Sequence, residues 1–210
     1  MKYSTTGLAF AMAGAIVFSA MAAGPSTNVR GTITRVDGNI LDIKTRGGGT
    51  AEVRLADNAK IVAVAKATLS DIKPGSFIGT AATPRTDGTL QAIEIHIFPE
   101  SMRGTGEGTR TWDLGRKSSM TNGTVTQRLG KVANNKVSKV DGTSLTVEYN
   151  GGTKVVTTTP GTRIVQLVPG DRSELKPDVS VFIPGATKAA DGTLEASRIT
   201  VGSEEMPPPM

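Results

Sequence analysis

Residues 34–42 read TRVDGNILD and residues 138–146 read SKVDGTSLT, and the frame they share, V-D-G-x-x-L, decides how the chain is organised. Two further stretches keep the same order. LSDIKPG at 69–75 matches SELKPD at 173–178, with Leu175, Lys176 and Pro177 in the places of Ile72, Lys73 and Pro74, and TDGTLQAIEI at 86–95 matches ADGTLEASRI at 190–199. The copies stand 104 residues apart (34 and 138), then 103 (72 and 175), then 104 (86 and 190). Three ordered matches at a nearly constant offset indicate an internal duplication.

Within each copy the periodicity is that of strands. In NILDIKTR, Leu41 and Ile43 alternate with Ile40, Asp42 and Lys44, and in SLTVEYN the residues Leu145, Val147 and Tyr149 alternate with Thr146 and Glu148. A period of two with one apolar face reads as half-buried antiparallel strands. Asp37-Gly38, Asp87-Gly88, Asp141-Gly142 and Asp191-Gly192 punctuate them, because a tight turn needs the positive φ that these residues tolerate. The first copy is predicted to carry strands at 28–36, 39–46, 50–55, 60–64, 76–83 and 89–98, with a short helical turn around 67–72. The second is predicted to carry them at 121–129, 135–140, 143–149, 153–158, 163–167, 179–187 and 193–201. Short twisted strands in this number are expected to curl into small closed barrels that remove exposed edges, with a pair of small sandwiches as the alternative. The expected fold is therefore all-β: two tandem small OB-like antiparallel β-barrels joined by an elaborated connector. The barrels are expected at 23–99 and 121–202, with the connector at 100–120.

The N-terminus reads as an export signal. MKYSTTG supplies Lys2, LAFAMAGAIVFSAMA supplies a short apolar run, and Ala20 and Ala22 form an A-x-A site, so residues 1–22 are expected to be a cleaved signal peptide. The expected location is periplasmic or secreted, with no membrane span after cleavage. The chain has 210 residues and no cysteine, so no disulfide staples it. Its net charge of +5 becomes +4 once Lys2 is removed, a mild excess compatible with an anionic ligand or envelope surface. SEEMPPPM at the C-terminus has no periodicity, and 203–210 is expected to be a disordered tail.

The search for chemistry centres on HIFPESMRGTGEGTRTWDLG at 96–115, which holds the only histidine and the only tryptophan. His96 lies on the strand IEIHIF, where Ile93, Ile95 and Ile97 point one way, so it shares a face with Glu94 and Phe98 and is expected to meet solvent or the other barrel. The sole histidine does not make a catalytic triad without a paired serine and acid. No cysteine and one histidine rule out a tetrahedral N/S zinc site. A divalent cation on His96, Glu100 and Glu107, with Asp113 as a further oxygen donor, is the one metal site the residue types allow; otherwise no cofactor is expected. G-x-G-x-G at 104–108 is followed by neither a helix pattern nor G-K-[ST], so dinucleotide and P-loop readings fail. Too few aromatic residues stand beside basic ones to support a nucleic-acid platform.

HIFPESMRGTGEGTRTWDLG, SMTNGTV and VPGDRSELKP resemble a family of exported bacterial proteins built from an OB-like domain of unknown function and often labelled metal ABC transporter permeases. The resemblance covers most of the chain after the signal. It departs from the family at Thr109, where histidine is usual, and in TQRLGKVANNKV at 126–137, which looks like added length. What it implies is an extracytoplasmic role, and the absence of a second apolar run speaks against a permease. The expected function is a non-catalytic binding or interaction module of the cell envelope. Its connector would lie over the junction of the barrels and present Arg103, Glu107, Arg110, Trp112 and Asp113 to an anionic ligand or an envelope protein. The alternatives are a divalent-metal-binding or transporter-accessory protein, and an envelope enzyme.

Overall fold

The computed structural model describes residues 26–129, 143–203 and 205–209. The expected signal peptide, the predicted strand at 135–140 and the Asp141-Gly142 turn lie outside the described residues. The all-β expectation holds. The strands are β1 (Ser26–Asp37), β2 (Ile40–Thr45), β3 (Thr50–Lys66), β4 (Phe77–Pro84), β5 (Leu90–Ile97), β6 (Gly108–Thr111), β7 (Ser119–Leu129), β8 (Ser144–Tyr149), β9 (Gly152–Thr157), β10 (Arg163–Pro169), β11 (Ser180–Lys188) and β12 (Leu194–Gly202). The predicted strands 50–55 and 60–64 are one continuous strand, β3, and β6 is a strand inside the expected connector. No described helix is long and apolar enough to cross a membrane.

β1, β2, β3, β12 and β11 pair in that order, and β11 returns to β1, so these five strands form a closed barrel. All its pairs are antiparallel except β3 with β12. Five of the remaining strands follow a like cycle: β7 with β8, β8 with β9, β9 with β5, β5 with β4 and β4 with β7. Here the β9–β5 contact is a two-residue parallel one, Leu90 beside Val156 and Gln91 beside Thr157.

Among the described residues neither of the two expected copies closes on itself. The closed barrel takes β1–β3 from the first copy and β11–β12 from the second, while the second set takes β4–β5 from the first and β7–β9 from the second. The cause is the length of β3. Its 17 residues rise at about 3.3 Å each, so its C-terminal half, paired with β12 as far as Ala63 beside Val201, runs on past the barrel and delivers β4 and β5 to the other set. β10 makes the reverse crossing and pairs antiparallel with that half, from Val62 beside Pro169 to Lys66 beside Val165.

Two Lys-Pro turns follow the same division of strands. In the first copy Gly75 N–H donates to Val125 C=O and Val125 N–H to Ser76 C=O; in the second, Asp178 N–H donates to Ile33 C=O and Ile33 N–H to Val179 C=O. Each Lys-Pro turn is thus docked on the first strand of the other copy. Gly75 and Asp178 both take left-handed φ, 91° and 69°, a conformation that Asp tolerates better than most side chains.

Burial follows the pairing. One core packs Ile33, Leu41, Ile43, Val53 and Leu55 against Val181, Ile183, Ile199 and Val201; the other packs Ile72, Ile78 and Ile95 against Val125, Leu145, Val147 and Val156. Each such side chain contributes roughly 1.5–3 kcal/mol relative to exposure, so each copy stabilises the other. A third, small cluster of Val62, Phe77, Phe98 and Leu167 fills the junction. The C-terminal segment is packed where a disordered tail was expected: Pro208 and Pro209 are buried, and Arg163 donates to Pro207 C=O.

Candidate functional site at the junction

β5 is buried on both faces after Ile93. Ile95 and Ile97 enter the second core, and Glu94, His96 and Phe98 on the opposite face are 3 %, 8 % and 8 % exposed. Of the two surroundings expected for His96, solvent or the other barrel, solvent is wrong: the ring is buried at the junction. The crossing strands are the reason, since β3 and β10 bring Val62 and Leu167 against Phe98. Glu94 pairs with Arg163, its register partner on β10. Burial, reinforced by the positive charges of Arg110 and Arg163, pushes the His96 imidazole down from the ordinary value near 6.5 to about 4, so the ring is neutral near pH 7.

His96 and Asn122 are both register partners of Gly79, on β5 and β7. They stand on one face with a side-chain-free position between them. A Cβ on Gly79 would lie 2.0 Å from His96 Nε2 and 2.8 Å from Asn122 Oδ1, so glycine is required for the ring to lean across the strand. In the closed barrel the matching row is Arg30, Phe182 and Thr200. There Phe182 occupies the central place that Gly79 leaves open, with Arg30 over its ring at 4.5 Å.

Between the two rows lies a cleft of about 280 Å³, bordered by His96, Asn122, Phe182 and Thr200 and closed by Arg110, Trp112, Arg198 and Pro209. Phe98, Met102, Met120 and Leu167 give it apolar walls. The connector reaches it through β6, which pairs with β7. Trp112 stands edge-on to Phe182, with centroids 6.2 Å apart, and between the guanidinium groups of Arg30 (5.4 Å) and Arg110 (5.5 Å). Ser118 Oγ donates to Trp112 C=O at 2.7 Å, which holds the loop behind it. Within this cleft His96 Nδ1, Asn122 Oδ1 and Arg198 Nε are buried without a hydrogen-bond partner.

Of the residues singled out in the sequence, Arg110, Trp112 and His96 meet here. The others do not. Arg103 is committed to Glu100 in a two-pronged pair (2.5 and 2.7 Å) and to Gly75 C=O. Glu107 accepts from Asn150 N–H at 2.9 Å, and Asp113 is the counter-ion of Arg30 at 2.5 Å. The metal set His96, Glu100 and Glu107 does not assemble: among the described residues no three His, Cys, Asp or Glu side chains come close enough to hold an ion. Asn122, Arg198 and Phe182 were not foreseen. They come from β7, β12 and β11, and only the strand exchange makes them neighbours. No family model matches the chain, and it has no match among the curated proteins or the solved structures.

Proposed function

We propose that this chain is a non-catalytic extracytoplasmic binding module of the cell envelope, that its two sets of strands are OB-type barrels formed by exchange, and that the junction cleft is its ligand site. The cyclic strand order, with one parallel pairing in each set, supports the OB reading. Export rests on the signal-like first 22 residues. The observation that carries the binding reading is the pair of buried, unpartnered polar atoms, His96 Nδ1 and Asn122 Oδ1, in a cleft walled by Trp112 and Phe182. Leaving buried polar atoms unmatched costs about 1–3 kcal/mol each, and a bound ligand recovers that cost. The sole histidine supports binding over catalysis, since its Nδ1 makes no hydrogen bond that would orient it as a base.

The histidine and the tryptophan are each unique, so each gives one assignable NMR signal at the cleft. Phenol, benzamide, benzoate and benzenesulfonate are the probes. At least one is expected to shift both signals saturably, and Trp112→Ala is expected to abolish the His96 shift while leaving the native circular dichroism spectrum and most of the thermal stability in place. If no probe shifts His96, the cleft is not a ligand site. If Trp112→Ala instead lowers the midpoint by several degrees, Trp112 is a structural plug.

A further inference from the structure

The positive charges of the molecule are not evenly matched. Arg30, Arg103 and Arg163 each pair with a carboxylate: Asp113, Glu100 and Glu94. Arg110 and Arg198, which border the cleft, form no ion pair among the described residues. Arg110 donates to Gly106 C=O and faces Trp112, and the Nε of Arg198 is buried without a partner. No Asp or Glu is among the residues lining the cleft. Of the polar atoms that remain open, the two guanidinium groups are donors, as is the imidazole whenever its Nδ1 carries the proton, while Asn122 Oδ1 is an acceptor. They are set in walls of Phe98, Met102, Met120, Leu167 and Phe182.

We infer that the cleft takes a small organic monoanion, a carboxylate or sulfonate carried on an apolar ring or short chain, with its charge between Arg110 and Arg198 and its body against Trp112 and Phe182. This rests on the cleft being the ligand site. Guanidinium forks match planar carboxylates, and such charge-assisted bonds are about twice as strong as neutral ones. The apolar walls favour a carried anion over a bare one, because a hydrated inorganic ion would lose its water shell against carbon. Volume agrees: about 280 Å³ is at the lower limit of small-molecule sites.

An anion in this place also reverses the electrostatics of His96. Among the described residues the charged groups around the ring are Arg110 on β6, Arg163 on β10, Arg198 on β12 and Glu94 on its own strand; burial first, and then the charges of Arg110 and Arg163, hold the ring neutral. A bound negative charge favours the imidazolium, so binding takes up a proton in mildly acid solution.

The test is a titration with benzoate, its uncharged isostere benzamide, and inorganic phosphate, read on the His96 Cε1–H signal of the full chain after signal removal. Benzoate is expected to bind at least tenfold more tightly than benzamide and phosphate. It should raise the apparent His96 pKa from about 4, and lose about tenfold in affinity in both Arg110→Met and Arg198→Met at an unchanged thermal midpoint. Benzamide binding as tightly as benzoate overturns the anion and leaves the cleft as a neutral-ligand site. Phosphate binding as tightly as benzoate overturns the apolar body. If none of the three shifts His96, both this inference and the binding reading fall. Should either arginine variant lower the midpoint, the lysine substitution at that position replaces it; benzoate affinity unchanged there overturns the role of that guanidinium.

Discussion

His96 shows how one position is governed by neighbours that its own strand does not reveal. Its ring is buried beside Gly79 and held neutral by burial and by the Arg110 and Arg163 charges. In the unfolded chain the same ring titrates near 6.5, so between about pH 6.5 and 4 the unfolded state binds the extra proton. The stability from a neutral His96 is thus fully present above about pH 6.5 and falls as acid is added, with about 3 kcal/mol lost by pH 4. Denaturant titrations from pH 7 to 4 should show this slope in the native chain and lack it in His96→Asn. Equal slopes in the two would mean that the ring is accessible in the folded state. Part of this was legible: the shared face of Glu94, His96 and Phe98 follows from the period of β5. Burial of that face was not, because Val62 and Leu167 arrive from β3 and β10.

At the scale of elements, the crossing strands matter most. β10 lies between β3 and β5, and its Arg163 meets Glu94 and the carbonyl of Pro207. The pair is asymmetric, with the Glu94 side chain 3 % exposed and that of Arg163 30 %. Arg163→Met removes an ion-pair partner from a buried carboxylate and is expected to destabilise the fold more than Glu94→Gln, which leaves an arginine that still reaches water. Urea midpoints of the two variants decide the order, and a reversed order would place the carboxylate nearer to solvent. Most strand positions were readable from alternation and Asp-Gly turns. Two features were not: alternation does not say whether 50–55 and 60–64 are one strand or two, and β6 is too short and glycine-rich to stand out from its connector. Asp57 and Ala59, exposed or half-buried in mid-strand, look like a loop in the sequence because they stand where the pairing with β12 jumps from Leu55 to Lys60.

For the whole molecule, the exchange of strands ties the two copies into a single cooperative unit. Neither half has a complete core: Ile33 and Leu41 need Val181 and Ile199, and Ile78 and Ile95 need Val125 and Leu145. The native chain should unfold in one transition with coincident fluorescence and circular dichroism. Fragments 23–105 and 106–210 should each be largely unstructured alone and regain the native spectrum when mixed. Independent folding of either fragment would mean that each copy can close on itself.

The strand character and the turn chemistry were set by local sequence, because alternation and Asp-Gly pairs act over a few residues. Which strands share a barrel was decided only in three dimensions. Two stretches of similar alternation offer nearly equivalent partners for many strands, so pattern alone is degenerate between self-closure and exchange. The degeneracy is broken by the length of β3 and its pairing with β10. The same choice built the cleft, by bringing His96 and Asn122 of one set within reach of Phe182 and Arg198 of the other.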